Sequence, residues 1–308
     1  MKSPRQHPLI KKITHSMEGL TPKGRILGQY IIDHPRKAVF MTTKELAEAC
    51  QVSEATVVRF VSGIGYERYS DFQQTLRDCV DTELTLLERR DLMRRRGQGV
   101  EGFRKTVSEE IDNLTYLFNN IQAENLEKAT RLLVAADSLY VIGSRLSYTM
   151  AYYMGWSLTK LIRNIRILNG SDSTTLDWLT LAPKNTLVVI VSTSRYPNEL
   201  VRLARWARRK EMQLLSISDG SSCPVIPFAH LSLTAPSRHI PILGSPTSLS
   251  CLINYLVHEV GHHLGNGVKE HQEEIEQTYM ENDLLFNPTH LQEVKKRNRG
   301  SLPSKSSG

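Results

Sequence analysis

Apolar residues between positions 41 and 72 recur at helical spacing on two successive short segments. Leu46, Ala47 and Cys50 share one face of a helix that Thr42-Thr43-Lys44-Glu45 opens as a capping box: the Thr42 hydroxyl meets an orphan backbone N–H and Glu45 reaches back to the cap. Gln51-Val52 makes a short turn. Ser53 then caps a second helix running to about Ile64, with Val57 and Phe60 on its inward face and Val52 at its entrance. Ala47 is small where the two helices cross, which lets a helix-turn-helix close tightly. The outward flank of the second helix is predicted to carry Ser53, Glu54, Thr56 and Arg59 near the end that enters a major groove in this motif. Arg59 suits guanine or phosphate, Ser53 and Thr56 suit phosphate or bases, and Glu54 suits cytosine N4. Thr43, Lys44 and Arg68 complete the candidate contacts with double-stranded DNA.

From Glu124 onward the period changes. Short β-branched and apolar runs at Ser138 to Ile142, Ile165 to Leu168, Thr186 to Val191, Gln213 to Ile217 and Leu231 to Thr234 predict five strands. The segments Tyr148 to Leu161 and Glu199 to Arg209 read as crossover helices between them, the alternation of a parallel α/β sheet. The expected fold is therefore an all-α helix-turn-helix domain (1–78) joined through a charged helical connector (79–122) to an α/β domain with a parallel five-stranded sheet flanked by helices (123–264). A charged helical and disordered tail (265–308) follows. Arg94-Arg95-Arg96 followed by Gly97-Gln98-Gly99 marks a candidate hinge in the connector.

Composition narrows the function classes. A chain of 308 residues has room for about two domains and needs no staple to fold. Cys50, Cys79, Cys223 and Cys251 form no CxxC pair and read as reduced thiols. Neither an export-type apolar core near the N-terminus nor an 18-residue apolar run is present, which predicts a cytoplasmic protein without membrane contact. Met1 to Arg77 holds 12 Lys and Arg against 7 Asp and Glu, so +5 of the chain's +7 lies in its first quarter, where a polyanion would bind.

The run "MTTKELAEACQVSEATVVRFVSGIGYERYSDFQ" resembles the helix-turn-helix of the RpiR family of bacterial transcription regulators, and "LTPKGRILGQYIIDHPRKAVF" resembles the family's first helices. Gln51 stands where such turns often carry Gly, which predicts a shifted or strained left-handed position. The family joins this domain to a SIS (sugar isomerase) domain. Val141 to Ala151 is similar to its first strand and ligand loop, with Gly143, Ser147 and Ala151 matching. Val191-Ser192-Thr193-Ser194 is similar to the SxS end of its third strand.

Ligands of open parallel sheets sit beyond the carboxyl ends of the strands, where helix N-termini offer free N–H groups to anions. Ser144, Arg145, Ser147, Ser192, Ser194 and Arg195 fall at such ends and are the candidate effector residues, with Ser245, Thr247 and Ser248 as weaker candidates. Hydroxyls with guanidinium groups suit a phosphorylated sugar or a sugar acid. Two departures from the family pattern stand out: Arg195 and Pro197 replace the Gly and the hydroxyl of SxSGxT, and Arg145 stands where many relatives have Gly.

His258-Glu259-Val260-Gly261-His262 satisfies the zinc-protease pattern HExxH, but the extended pattern fails at Val268 and the segment resembles the last packing helix of the SIS domain. No metal, cofactor or catalytic residue is expected. The resemblance implies a regulator that reads palindromic operator DNA as a homo-oligomer, dimer or tetramer, and responds to a sugar-phosphate or sugar-acid effector. The alternative is a sugar-phosphate isomerase with Glu199 as its base.

Overall fold

A computed structural model describes residues 8–80, 87, 99–193, 195–236 and 244–285. The N-terminal region packs six helices, α1 (Pro8–Ser16), α2 (Pro22–Asp33), α3 (Pro35–Ala38), α4 (Thr43–Ala49), α5 (Glu54–Gly63) and α6 (Tyr69–Val80). Their apolar faces meet in one core around Leu9, Ile13, Leu27, Ile31, Leu46, Val57 and Phe60. Phe72 of α6 closes it, meeting the rings of Phe60 and Tyr66 edge-on at 6.3 and 5.8 Å. Tyr69 donates its hydroxyl to Met41 O (2.9 Å), and burial pushes its phenol well above the ordinary range.

The predicted caps form. The Glu45 N–H donates to Thr42 Oγ1 (3.2 Å) while the Thr42 N–H donates to Glu45 Oε2 (2.7 Å), and the Thr56 N–H donates to Ser53 Oγ (3.3 Å). Such caps contribute about 1 kcal/mol each. Gln51 takes φ 54 in the turn, so the left-handed position stays in place and a residue with a Cβ occupies it.

Helices α7 (Gly99–Asn120) and α8 (Ala123–Ala135) lead into the second region. Of the candidate hinge, residues 94–98 lie outside the described residues, as do the basic and Ser-rich stretches of the tail. The strands are β1 (Ser138–Gly143), β2 (Ile165–Asn169), β3 (Thr186–Ser192), β4 (Gln213–Ser218) and β5 (Leu231–Thr234), all parallel and ordered β2-β1-β3-β4-β5. Helices α9 (Leu146–Leu158), α10 (Ser173–Thr180) and α11 (Asn198–Arg209) form the connections, followed by α12 (Thr247–Leu264) and α13 (Lys269–Glu281).

Alternation along the strands builds two apolar layers. Leu139, Val141, Val189 and Leu215 face Ala129, Met154 and Leu256 on one side of the sheet, whereas Tyr140, Ile142, Ile190 and Leu214 face Leu179, Leu200 and Leu203 on the other. Gly143 ends β1 so close to α9 that an added Cβ would lie 2.6 Å from Ser147 O. Helix α13 returns onto the end of α9: Arg163 pairs with Glu274 (2.7 Å), and the His271 ring meets Thr159 O at 2.8 Å. Among the described residues no helix is long and apolar enough to cross a membrane.

Candidate functional site

Two surfaces collect the residues singled out in the sequence. On the first, α5 turns Val57, Phe60 and Val61 inward and leaves Glu54, Ala55, Val58, Arg59 and Ser62 exposed, with Ser53 exposed at its cap. Lys44 at the start of α4 and Arg68 beside the start of α6 are also exposed. Thr43 donates its hydroxyl to Glu54 Oε2 (3.0 Å), tying the first turns of the two helices together.

Thr56 needs correcting. It is buried, because it precedes Phe60 by one turn and so lies on the edge of the inward face, and its Oγ1 pairs with Ser53 Oγ at 2.9 Å. Its hydroxyl completes the cap rather than the outward flank. Val58, half exposed beside Arg59, is a surface position the sequence pattern did not single out, because an apolar residue in an amphipathic helix reads as core.

The second surface lies where the sheet order reverses. In a 2-1-3-4-5 sheet the chain leaves β1 toward one edge and β3 toward the other, opening a crevice beyond their carboxyl ends. The two loops there are joined: Ser147 Oγ accepts from the Thr193 N–H (3.0 Å) and pairs with Thr193 Oγ1 (3.0 Å). The loop after β2 joins them through the Gly170 N–H, which donates to Gly143 O (2.8 Å). Glu199, in the first turn of α11, completes the convergence. Ser144 Oγ donates to its Oε1, and its Oε2 lies 3.0 Å from where a Cβ on Gly170 (φ 74) would stand.

Ser144, Ser147 and Ser192 are therefore brought together but buried, the first two engaged with protein partners. Ser192 lies against Cys223, whose thiol burial pushes up to about 11, against the smaller opposing effects of the Val225 N–H and the Ser192 hydroxyl. Arg145 and Arg195 are exposed. Both hold positive φ, 55 and 64, so each arginine keeps the backbone that a glycine would adopt freely. Ser194 lies outside the described residues.

Ser245 Oγ accepts from the Thr247 N–H (3.3 Å) at the start of α12, where the buried Ser248 Oγ has no hydrogen-bond partner among the described residues. His258, His262 and His263 are exposed on the last turns of α12. Among the described residues, no group of three or more His, Cys, Asp or Glu is placed to hold a metal ion.

Comparison with known proteins assigns both halves. Residues 8–83 match the helix-turn-helix domain of the rpiR family, and residues 132–257 match the SIS domain. The uncharacterized HTH-type transcriptional regulator YbbH of Bacillus subtilis is 24% identical over 241 residues, covering 78% of this chain and 83% of that one. HexR of Pseudomonas aeruginosa, an HTH-type transcriptional regulator, is 23% identical over 230 residues, covering 74% and 79%. The structure of Vibrio vulnificus NanR complexed with ManNAc-6P shares the fold at a TM-score of 0.53 and 20% identity, over 91% of this chain and 100% of that one. With the rpiR helix-turn-helix at one end and the SIS sheet at the other, the chain belongs to the RpiR family in its two-domain form.

Proposed function

We propose that this protein is a cytoplasmic transcriptional regulator that reads operator DNA as a homo-oligomer and changes its grip on DNA when an acidic sugar derivative binds its SIS domain. The observation that carries the DNA-binding half is the exposed flank of α5, with Ser53, Glu54, Val58 and Arg59 presented by a capped helix whose other face is locked by Val57 and Phe60. Arg59 donates to guanine or phosphate, Val58 meets a thymine methyl, and Lys44 and Arg68 hold the phosphate backbone. Thr43 fixes Glu54 in place, and Thr56 acts through the cap.

In the SIS domain the effector binds over the joined β1 and β3 loops. Arg145 and Arg195 take its phosphate or carboxylate, since a guanidinium grips either group bidentately. Ser144, Ser147 and Ser192 shape the floor beneath, and Ser194 is the remaining candidate contact. The SIS-domain match supports an effector in this domain, and the ManNAc-6P complexed with NanR, which shares the fold, supports a sugar phosphate as its chemical class. The site acts as a sensor without turnover: Glu199, the carboxylate at its mouth, already accepts the Ser144 proton donor. Domain limits near 78, 122 and 264 follow from the same reading.

Selection of bound duplexes from a random library tests the DNA-binding half. It should enrich an inverted repeat whose half-sites lie about one or two helical turns apart, ~34 Å per turn. Failure to enrich any sequence over random duplex counts against it. A thermal-shift screen of phosphosugars and sugar acids on the full chain tests the effector half, because a ligand bound only by the folded state raises the melting temperature. A screen in which no member shifts the melt counts against it.

A further inference from the structure

Helix α11 buries Leu200, Leu203, Ala204 and Ala207 and turns Arg202, Arg205, Arg208 and Arg209 to solvent, with Lys210 exposed just past its end. No acidic residue interrupts positions 202–210. At 3.6 residues per turn, Arg202, Arg205 and Arg209 fall within an arc of about 60° and along about 10 Å of the axis. Elsewhere on the surface cations are paired: Lys128 with Glu124 and Arg131 with Glu127 on α8, and Lys269 with Glu273 on α13. Among the described residues no carboxylate pairs with any of the five on α11. Their neighbours are rings instead. The Arg205 guanidinium stands 5.6 Å from the Phe228 ring centroid, the Lys210 ammonium 5.8 Å from that of Trp206, and Arg208 meets His230 Nε2 at 2.5 Å.

This row works against the helix that carries it. Like charges three and four positions apart destabilise a helix, and Arg205 has three such neighbours, Arg202, Arg208 and Arg209. The helix dipole favours cations only in the last turn, which accounts for Arg208 and Arg209 and leaves Arg202 and Arg205 without a structural reason.

We infer that this face of the SIS domain is a second contact with double-stranded DNA, a sequence-independent seat for the phosphate backbone. Guanidinium groups grip phosphate oxygens bidentately, and four of the five cations are Arg. A strand of B-DNA carries a phosphate about every 3.4 Å of axis, so the row spans about three. The chain brings duplex to itself through its helix-turn-helix domain, which raises the local concentration of DNA over that of a free acidic polypeptide. That preference for DNA rests on the regulator reading; the unpaired row does not.

Fluorescence anisotropy of the full chain on a random-sequence duplex of about 40 base pairs, at salt from about 50 to 200 mM, tests the proposal. Arg202→Gln with Arg205→Gln and Arg209→Gln should make the slope of log K against log salt shallower by about 2–3, with an unchanged tryptophan-detected melt. Removing the same charge from paired positions, by Lys128→Gln, Arg131→Gln and Lys269→Gln, should leave the slope as in wild type. A row variant with the wild-type slope overturns the proposal, as does an equal change in the paired-position control. So does a wild type that binds no duplex at the lowest salt. Should the Arg205 contact with Phe228 prove necessary for folding, Arg202→Gln with Arg209→Gln decides, with an expected change of about 2 and the same refutation. A row variant that keeps the DNA slope but is no longer retained on immobilised polyglutamate overturns the proposal in favour of an acidic polypeptide. Because the row reads no sequence, failure to prefer any operator counts against the regulator reading alone. An unchanged slope in a chain that does select an operator counts against this proposal alone.

Discussion

Replacing Arg145 by glycine should stabilise the SIS domain while costing it affinity for an acidic ligand. Arg145 sits at φ 55, ψ −127, immediately before α9, a conformation in which a Cβ meets the backbone. Holding a non-glycine residue in such a region costs about 1–3 kcal/mol. Glycine removes that cost but adds about 0.4–1 kcal/mol of unfolded-chain entropy, so the net gain is about 0.5–2 kcal/mol. The arginine side chain is exposed, so its loss contributes little by itself. For a domain of this size the melting point should rise by about 2–6 °C. All three tryptophans, Trp156, Trp178 and Trp206, lie in the SIS half, so their fluorescence reports its melting within the full chain. Arg145→Ala keeps the Cβ and should melt within about 1 °C of wild type. A glycine variant that melts with the alanine variant, or below it, would refute the claim that strain is stored here. The opposite signs expected for stability and ligand affinity separate an arginine kept for binding from one kept for structure.

Further outcomes follow from individual contacts. Ser147→Ala removes the oxygen that binds both Thr193 N–H and Thr193 Oγ1, and should lower the tryptophan-detected stability by about 1–3 kcal/mol; an unchanged melt would mean those bonds are worth nothing. Gln51→Gly relieves the left-handed turn between α4 and α5 and should raise helical-domain stability by about 0.5–1 kcal/mol, read by far-ultraviolet circular dichroism; a fall would show that the glutamine side chain supports the turn. In native protein at pH 8 the exposed Cys251 should react fast with a thiol reagent. Cys223, its thiol pushed up to about 11 by burial, presents about one thiolate in a thousand and should stay unreacted. Two thiols modified at the same fast rate would contradict that burial.

The five strands were legible because β-branched runs between turn signals have few other readings in a folded chain. Each begins where its pattern begins, and β1 to β4 each extend one residue further than the apolar run. The caps at Thr42 and Ser53 were legible because a hydroxyl before an amphipathic run has a specific partner to find. Helix α10 was missed, since Ser173-Thr174-Thr175 reads as loop until Asp172 accepts the Thr175 N–H (2.7 Å) and caps it. Helix α9 starts two residues before its predicted start because Arg145, not a later residue, makes the turn out of β1.

Thr56 misled for a related reason: a threonine beside an apolar face is counted as outward by polarity alone, whereas its hydroxyl is satisfied locally by Ser53. The serines at the strand ends show the harder limit. Sequence places them at the crevice but cannot distinguish a hydroxyl facing a ligand from one already bonded, as Ser144 is to Glu199 and Ser147 to Thr193. The signal that does distinguish lies in Arg145 and Arg195, bulky residues on glycine-like backbone.

The account rests on α5 meeting duplex DNA through its exposed flank, and Arg59 is the residue on which that meeting depends most. Fluorescence anisotropy of the selected duplex, with wild type and Arg59→Ala compared at fixed salt, measures this directly. The variant should bind about 1–3 kcal/mol more weakly, roughly 5- to 150-fold, with its fold unchanged. Equal affinity for wild type and variant would contradict the account.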